Sequence, residues 1–450
     1  MESAAIAKVA VAAAPYSIDK PYDYLIPATL LEKVQPGVRV TVPFGRGNRS
    51  SEGFVLACEN GRKTPALKAL SDVLDQEPVL DSAGITMAYF LRQRYFCTMY
   101  EAVRTILPAG LWYQFREVYQ IADGLDRTEA EKRAGRTKGS AGVLDFLYAS
   151  GGSGSLTQLK EACGSDVTET LRTLCKKKVL TSETEALRKI SDKMKRMVEL
   201  AVDAEDAMAE AERKKKSAPL RSEVLRLLAV TGKVSASDLC YFTGASIRTL
   251  QSLQKVGLVT FSEEEKLRVP EMGNVTPGPP IALNSEQENA FRHITALTEA
   301  KKPAAVLLHG VTGSGKTEVY IRLVQEVLRQ GRTAMVLVPE IVLTPQMMRK
   351  FSSYFGEQVV MLHSGLKLSE RYDQWKRIRR GEVSVVLGTR SAVFAPLRNL
   401  GLIVMDEEQE SSYQSENPPR YHARDVAKFR CTQDGSVLVL GSATPAVESS

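Results

Sequence analysis

The chain has 450 residues, of which 43% are apolar and 25% are charged, so its composition is that of an ordinary globular protein. This composition excludes an intrinsically disordered chain and a disulfide-rich scaffold. At roughly 100 to 200 residues per domain, the length predicts three or four domains. The 60 Lys and Arg residues exceed the 53 Asp and Glu residues by 7, which permits a polyanionic partner without requiring one.

The six cysteines are scattered, and no pair has the spacing of a zinc knuckle or of a redox motif. No run of about 18 uncharged apolar residues is present, and the apolar stretch 6–14 lacks the basic lead of a signal peptide. The sequence therefore predicts a cytoplasmic protein with reduced thiols and no membrane partner.

The first part of the chain reads as a small β-rich domain. Short alternating runs between Ile6 and Cys58 are separated by Pro and Gly. The segment from Ser82 to Leu107 has a helical pattern that ends before Pro108. We assign residues 1–116 to this domain.

The middle of the chain contains an internal repeat. Val143-Leu-Asp-Phe-Leu recurs as Val224-Leu-Arg-Leu-Leu, followed each time by a glycine-containing turn. The order helix, turn, helix, turn, helix, strand is typical of winged-helix modules, which bind DNA or protein. The matching positions are Leu159, Gly164, Leu171, Leu174 and Val179-Leu180 in one copy and Leu239, Gly244, Leu250, Leu253 and Leu258-Val259 in the other.

We place the winged-helix-like α+β modules at 117–190 and 217–270. The spacer between them, 191–216, is rich in helix formers and is predicted to be a solvated helix. A proline-rich linker follows at 271–280. Neither module shows a concentrated basic recognition helix, so the sequence leaves open whether they bind DNA or a protein.

Beyond the linker, apolar strands alternate with helical segments over 281–450. This alternation predicts one lobe with a parallel, doubly wound α/β sheet, which makes the chain a multidomain α/β protein. The predicted strands are 304–308, 334–338, 359–362, 383–387, 402–405 and 437–440.

A phosphate-binding loop follows the first of these strands. Gly310-Val-Thr-Gly-Ser-Gly-Lys316-Thr317 fits the pattern G-x-x-x-x-G-K-[ST] between a strand and a helix. Its backbone N–H groups can wrap phosphates, Lys316 can reach the β- and γ-phosphates, and Thr317 can ligate Mg²⁺. A glycine-rich turn without a ligand is the alternative. The predicted ATP-binding residues of the loop are Gly310, Thr312, Gly313, Ser314, Gly315, Lys316 and Thr317.

An acidic cluster directly follows the strand that ends at Met405. Asp406 and Glu407 should share a sheet edge with the phosphate loop, because the carboxyl ends of parallel strands meet there. We assign Asp406 to Mg²⁺ and Glu407 to the attacking water, with Lys316 as the third catalytic residue. The alternative is a solvated acidic loop.

Six segments of the chain together resemble the primosomal protein N′ (PriA) family, the replication-restart DNA helicases of superfamily 2. The resemblance covers nearly the whole chain and is weakest in the middle. The segments are Gly310–Tyr320, Leu337–Gln346, Leu362–Leu366, Gly388–Phe394, Asp406–Gln409 and Gly441–Pro445.

This resemblance implies a RecA-like lobe that uses ATP and Mg²⁺. It implies a 3′-to-5′ helicase that recognises stalled or abandoned forks and starts primosome assembly. The implied partners are forked DNA, single-stranded DNA, DNA 3′ ends, replisome-loading proteins and single-strand-binding proteins, and the implied location is the bacterial nucleoid.

The resemblance also gives roles to single residues of the lobe. It implies that Gln287 recognises adenine. Gln409 stands where the family usually has His, a departure that bears on activation by DNA. The implied DNA-tracking residues are Glu340, Thr344 and Arg390, and the implied coupling residues are Gln409, Ser442 and Thr444.

The segment Ser411–Asp425 resembles the family's aromatic-rich loop, which senses single-stranded DNA. Rings and cationic groups in such a loop offer surfaces on which bases stack. A rigid loop packed by its own tyrosines is the alternative, and Pro419 replaces a Trp of some members. The implied DNA-binding residues are Tyr413, Arg420, Tyr421 and His422.

The segments Asp19–Pro27 and Gly37–Gly45 resemble the family's domain that grips a DNA 3′ end. A ring can stack on the terminal base, a carboxylate can accept from the 3′-hydroxyl, and a lysine can meet phosphate. Without the family, the same residues read as core aromatics and a turn aspartate. The implied pocket residues are Tyr22, Asp23, Gly45 and Lys68.

A complete member of the family continues with a cysteine-rich zinc region, a second RecA-like lobe and a C-terminal domain. This chain ends at Ser450 and has no ligands for zinc, so we expect ATP binding with little hydrolysis and no unwinding. The missing arginine finger is worth roughly 10³ to 10⁵ in turnover. The alternative is a catalytically silent protein that binds forks and 3′ ends, while a kinase or transporter ATPase is disfavoured because its other motifs are lacking.

Overall fold

The computed structural model describes residues 3–62, 64–188, 194–265, 267, 276–311 and 313–444. The chain forms two compact units, one made of 1–189 and 271–450 and the other of 190–270. Residues 271–275 of the expected linker lie outside the described residues.

The first unit begins with an antiparallel sheet that is followed by two helices. The elements are β1 (Ser3–Val11), β2 (Tyr22–Leu25), β3 (Arg39–Phe44), β4 (Arg49–Arg62), β5 (Asp72–Val73), α1 (Ser82–Tyr95) and α2 (Met99–Ile106). The strand order is β2-β1-β4-β3-β5, and Val9, Val40 and Val55 lie in the core. The expected helical segment 82–107 is two helices, because Phe96 adopts a left-handed φ of 51° that ends α1.

A winged-helix-like module completes this part of the first unit. Its elements are β6 (Tyr113–Ile121), α3 (Arg127–Ala134), α4 (Ser140–Ala149), β7 (Ser153–Ser155), α5 (Leu156–Cys163), α6 (Val167–Lys176) and β8 (Leu180–Arg188). The sheet order is β7-β6-β8, and Leu144, Leu159 and Leu171 are buried between the helices and this sheet.

The second unit repeats the same topology. Its elements are β9 (Met194–Leu200), α7 (Ala204–Lys214), α8 (Pro219–Thr231), β10 (Val234–Ser235), α9 (Ala236–Thr243), α10 (Ile247–Lys255) and β11 (Val259–Glu265). The sheet order β10-β9-β11 has the same arrangement as in the first copy. The predicted duplication is therefore confirmed at the level of topology.

The second repeat is longer than the sequence indicated, because it starts with a strand and a helix that the sequence analysis placed in the spacer. The boundary expected at 116 falls inside β6, and the expected helical spacer 191–216 contains strand β9. Among the described residues of that spacer, 194–216, only Ala204–Lys214 form an α-helix, which corrects the prediction. The helix α7 buries only small residues, Ala207 and Ala211, so its sequence resembles that of a solvated helix.

The last part of the first unit is an α/β lobe. Its elements are α11 (Ser285–Glu299), β12 (Ala304–His309), α12 (Lys316–Arg329), β13 (Thr333–Leu337), α13 (Pro345–Phe355), β14 (Val359–Leu362), α14 (Leu368–Arg379), β15 (Val385–Gly388), β16 (Leu400–Met405), α15 (Ala423–Asp434) and β17 (Val437–Ser442). In the described residues these strands form a parallel sheet of order β12-β17-β16-β13-β15-β14. All the strands that the sequence predicted here are confirmed.

The sheet order decides where the functional segments meet. Strands β12, β17 and β16 are neighbours, with His309 opposite Ser442 and Met405 opposite Leu440. The segments that follow these strands therefore lie side by side at one edge. Short 3₁₀ helices complete the described structure at Tyr16–Ile18, Ala28–Leu30, Ala109–Leu111, Gly356–Gln358, Arg390–Phe394 and Ser411–Tyr413.

Candidate nucleotide and DNA sites

The phosphate loop runs from the end of β12 to the start of α12, as the sequence predicted. Gly313 and Gly315 both have φ of +81°, a left-handed conformation that favours glycine. The Lys316 ammonium donates to the carbonyl oxygen of Gly310 at 2.6 Å. Within the described residues the buried Ser314 Oγ has no hydrogen-bond partner, and Thr312 lies outside those residues. The loop is thus shaped to surround an anion.

Gln287 lies against this loop. It caps α11 together with Asn284, and its Nε2 also donates to the carbonyl of Ser314 at 2.8 Å. A Cβ atom at Gly315 would lie 2.4 Å from Gln287 Nε2, so the glycine also makes room for this contact. The structure therefore places Gln287 against the phosphate loop, and its role toward adenine stays a prediction.

The acidic cluster lies at the end of β16, beside the loop. Glu407 Oε1 is 3.8 Å from Lys316 Nζ. Asp406 is 7% exposed and accepts a hydrogen bond from the Tyr320 hydroxyl at 2.8 Å. Burial raises the pKa of Asp406, and the Tyr320 hydrogen bond partly opposes this effect. Thr317 is the second residue of α12 and is partly buried.

The residues expected to couple hydrolysis to movement form a hydrogen-bonded series. Gln409 Nε2 donates to Glu407 Oε2 at 2.8 Å, and Ser442 Oγ donates to Gln409 Oε1 at 2.6 Å. The Thr444 amide donates to Ser442 Oγ at 3.0 Å. The glutamine thus joins the end of β16 to the end of β17, and Pro445 of that last motif lies outside the described residues.

The three residues expected to follow DNA occupy different positions. Glu340 is exposed after β13. Thr344 Oγ1 accepts from the Met347 amide at 3.2 Å and caps α13. Arg390 donates to the carbonyl oxygens of Ser412 at 3.2 Å and Gln414 at 2.6 Å, so it holds the segment 411–422.

The tyrosines of the segment 411–422 are buried, which corrects the expectation that their ring faces are open. Tyr413 is 0% exposed and donates to the carbonyl oxygens of Leu337 at 3.0 Å and Asp406 at 2.6 Å. Tyr421 is 5% exposed and packs edge-to-face on Phe394 at 4.8 Å. The loop therefore packs through its own tyrosines against the strand ends, which is the alternative that the sequence allowed.

The cationic members of this segment are placed differently. Arg420 is exposed, and its carbonyl accepts a hydrogen bond from the Gln414 side chain. His422 is partly buried and caps α15, with Nδ1 accepting from the Arg424 amide at 3.1 Å. Arg420 is thus the member of the predicted set that the solvent can reach most readily.

Sequence reasoning missed the residues that support this site. Tyr320 holds Asp406, and Arg424 Nη1 donates to the Glu408 carboxylate at 3.1 Å in a buried ion pair. The pattern around α12 gives no sign that a tyrosine there faces an acidic strand end. Glu408 could have been singled out only as a member of the acidic run.

A tyrosine of the first domain also touches this segment. The Tyr95 hydroxyl, at the end of α1, donates to the Asp425 carboxylate at 3.0 Å and accepts from the His422 amide at 3.2 Å. Burial raises the pKa of Tyr95 to about 12. Phe90 stacks on Phe429 with ring centroids 4.3 Å apart. Helix α1 is therefore packed on α15.

The expected 3′-end pocket is only partly assembled. Lys68 Nζ donates to the Gly45 carbonyl at 2.8 Å, and Tyr22 packs edge-to-face on Phe44 at 5.2 Å. Gly45 has φ of +71° and open space where a Cβ would lie. Asp23 follows Tyr22 in β2, so its side chain lies on the other face of the strand, where it pairs with Lys8 at 3.0 Å.

None of the helices in the described part of the chain is long and apolar enough to cross a membrane. No cluster of three or more His, Cys, Asp or Glu side chains in that part is arranged to hold a metal ion.

Two models of known protein families match separate parts of the chain. Residues 284–450 match the model of the DEAD/DEAH box helicases, and residues 8–108 match the model of the 3′ DNA-binding domain. These matches define the class of protein. The chain has a P-loop lobe of the helicase type, and a domain of the type that binds DNA 3′ ends precedes it.

The chain belongs to the PriA family of replication restart proteins. It is 36% identical to the replication restart protein PriA of Bacillus subtilis over 98% of this chain and 54% of that protein. It is 35% identical to the PriA of Synechocystis over 95% of this chain and 50% of that protein. The chain therefore spans about half the length of these relatives.

Among solved structures, the chain is similar to RecG bound to a three-way DNA junction, with 25% identity and a TM-score of 0.30. This similarity covers 40% of this chain and 25% of that chain.

Proposed function

We propose that this chain provides the ATP-binding and DNA-binding functions of an ATP-dependent 3′-to-5′ DNA helicase that recognises stalled or abandoned replication forks. Its relatives are replication restart proteins. Primosome assembly, with replisome-loading and single-strand-binding proteins as partners, is part of the same proposal. The observation that carries it is the series of contacts from Lys316 through Glu407 and Gln409 to Ser442.

The residues at this sheet edge fit ATP with Mg²⁺. The buried Ser314 hydroxyl of the loop has no hydrogen-bond partner among the residues that the structure describes. The Lys316 ammonium donates to the carbonyl of Gly310 in the loop, and phosphate oxygens would accept from the same ammonium. Thr317 and Asp406 offer the oxygen ligands that Mg²⁺ prefers. The ion would neutralise charge on the phosphates when bound.

The protein's own residues supply the remaining chemistry. Glu407 would orient the attacking water, and its contact with Lys316 holds it at the phosphate loop. Gln409 contacts Glu407 with its amide nitrogen and Ser442 with its amide oxygen, so a shift of Glu407 moves the end of β17 as well. This contact is the proposed path from the nucleotide to the DNA-tracking segments.

The first domain is proposed to hold a DNA 3′ end. Tyr22 would stack on the terminal base, Gly45 would allow close approach, and Lys68 would meet phosphate. Asp23 lies on the opposite face of β2 from Tyr22, but β2 is the edge strand of its sheet, and the Asp23 carboxylate is 46% exposed. It would accept a hydrogen bond from a 3′-hydroxyl that reaches around this edge.

Binding of ATP tests the nucleotide site. The Lys316→Ala variant should bind a fluorescent ATP analogue roughly 10- to 100-fold more weakly, because a charge-assisted hydrogen bond of about 1.5 to 3 kcal/mol is lost. The matched control is Lys302→Ala, which removes an exposed lysine just before β12. Equal affinity of Lys316→Ala and the control would refute the site.

Discrimination between DNA ends tests the first domain. The chain should prefer a 3′-hydroxyl over a 3′-phosphate at a fork, and Asp23→Ala should remove this preference. Glu59 pairs with the same Lys8 at 2.9 Å, so Glu59→Ala is a control with the same loss of charge. If the wild-type chain binds both ends equally, the 3′-end proposal is wrong.

A further inference from the structure

Tyr320 lies in α12, one helical turn beyond Lys316 and Thr317. Because residues three and four apart are neighbours on one face of a helix, Tyr320 shares a face with both of them. Its side chain is 0% exposed, and its hydroxyl donates to Asp406 Oδ1 at 2.8 Å. One face of α12 therefore carries the lysine of the phosphate loop, one proposed magnesium ligand and a tyrosine that contacts the other proposed ligand.

The backbone of Asp406 is held by other groups. Its amide donates to the carbonyl oxygen of Leu337 at 2.9 Å, across from the neighbouring strand β13. Its carbonyl oxygen accepts from the Tyr413 hydroxyl at 2.6 Å. The Tyr320 hydroxyl contacts the carboxylate, so its removal should free the carboxylate while the backbone of Asp406 stays in place.

The hydroxyl of Tyr320 lies in a space that the sheet keeps open. A Cβ atom at Gly441 of β17 would lie 1.8 Å from this hydroxyl oxygen. The glycine thus lets the tyrosine reach across the strand ends to Asp406, and the buried ring has little freedom to move away. The contact is built into the packing of the lobe.

A hydrogen bond of this kind orients a carboxylate. An ionised carboxylate has two oxygens that only accept, and a donor fixed on Oδ1 limits rotation of the group. Carboxylates that ligate metal ions are commonly held by such partners, and loss of the partner typically costs about 10- to 100-fold in metal affinity or activity. The position of Tyr320 matches that role.

We propose that Tyr320 is a positioning residue for Mg²⁺, and that its hydroxyl holds the Asp406 carboxylate in the orientation that binds the ion. The inference rests on the proposed nucleotide site. It adds to that site a residue that belongs neither to the G-x-x-x-x-G-K-[ST] pattern nor to the acidic cluster. Tyr320 acts through Asp406 and has no contact of its own with the ion or the nucleotide.

The test is the factor by which Mg²⁺ strengthens binding of a fluorescent ATP analogue to the full chain. This factor is the affinity in excess Mg²⁺ divided by the affinity in EDTA. In Tyr320→Phe it should fall by roughly 10-fold, or to one where the wild-type factor is smaller, because the carboxylate has lost its donor. The affinity in EDTA should match that of the wild type, since Lys316 and the loop are unchanged.

Tyr354→Phe is the matched control. The Tyr354 hydroxyl, on α13 of the same lobe, donates to the carbonyl oxygen of Pro279 at 2.8 Å. This variant therefore loses one hydroxyl and one hydrogen bond, as Tyr320→Phe does, and it should keep the wild-type Mg²⁺ factor. Both variants keep their rings, and circular dichroism at the assay temperature checks that they are folded.

A double variant separates positioning of the carboxylate from a general effect on the lobe. Asp406→Asn should lose the Mg²⁺ effect by itself. Adding Tyr320→Phe to Asp406→Asn should change the factor no further, because the hydroxyl acts through the carboxylate that is already missing. A purely structural role of the tyrosine would lower the affinity in Mg²⁺ and in EDTA alike.

The proposal is overturned if Tyr320→Phe keeps the wild-type Mg²⁺ factor, if it loses affinity equally in Mg²⁺ and EDTA, or if the wild-type chain shows no Mg²⁺ effect. Failure of the nucleotide site itself looks different. In that case the wild-type chain does not bind the analogue, or Lys316→Ala binds it as tightly as the wild type.

Discussion

At the scale of single residues, the site depends on close contacts that small side chains permit. Gly441 lies in β17 beside Tyr320, and a Cβ atom there would lie 1.8 Å from the tyrosine hydroxyl and 3.1 Å from Asp406 Oδ1. Tyr320 is buried and holds Asp406. The glycine therefore allows the tyrosine, the aspartate and the strand to pack together.

Gly441→Ala should destabilise the lobe by about 1 to 3 kcal/mol, because the added methyl group overpacks the core. The melting temperature measures this effect. Gly47→Ala is the control, since its Cβ would meet only Arg49, at 4.0 Å. A melting temperature of Gly441→Ala equal to that of the control would contradict the described packing.

A second residue-scale prediction concerns Gln409, which bridges Glu407 and Ser442. Gln409→Ala should bind ATP with nearly wild-type affinity, because Lys316 and the loop are unchanged. Forked DNA should no longer change the ATP affinity of this variant. Titration of a fluorescent ATP analogue with and without forked DNA measures the ATP affinity and its change. If forked DNA changes the ATP affinity of Gln409→Ala as much as that of the wild type, the Gln409 bridge does not connect the ATP and DNA sites.

At the scale of elements, the end of α1 and the start of α15 are joined through Tyr95. The Tyr95 hydroxyl accepts from the His422 amide and donates to Asp425, while Arg424 between them pairs with the buried Glu408. The first domain therefore contacts α15, the helix whose Arg424 pairs with Glu408 of the acidic cluster. The segment 411–422 ends in this junction, at His422.

Tyr95→Phe should increase hydrogen exchange at the His422 amide by about tenfold, because that amide loses its acceptor. Exchange in the core strand β16 should not change. Tyr16→Phe serves as the control, since Tyr16 is 57% exposed. Unchanged protection of His422 in Tyr95→Phe would mean that this hydrogen bond does not hold the junction.

Much of the molecule was predictable at the scale of the chain. Strong apolar periodicity gave the lobe's strands, and the G-x-x-x-x-G-K-[ST] pattern fixed the loop between β12 and α12. Strand β9 was missed. Helix α7 was predicted as part of a solvated spacer and not as part of the second module, because it buries only alanines. Burial of Tyr413 and Tyr421 could not be predicted, since residues distant in sequence such as Leu337 and Phe394 cover them.

For the whole molecule, the central claim is that one chain holds both DNA and ATP and that each affects the other. Linkage requires that DNA change ATP affinity by the same factor by which ATP changes DNA affinity. The most direct measurement is the affinity of the chain for a fluorescent ATP analogue, with and without a saturating fork that bears a 3′-hydroxyl. The account predicts a change of at least about fivefold, as coupled sites commonly show. Equal ATP affinities with and without the fork would contradict it.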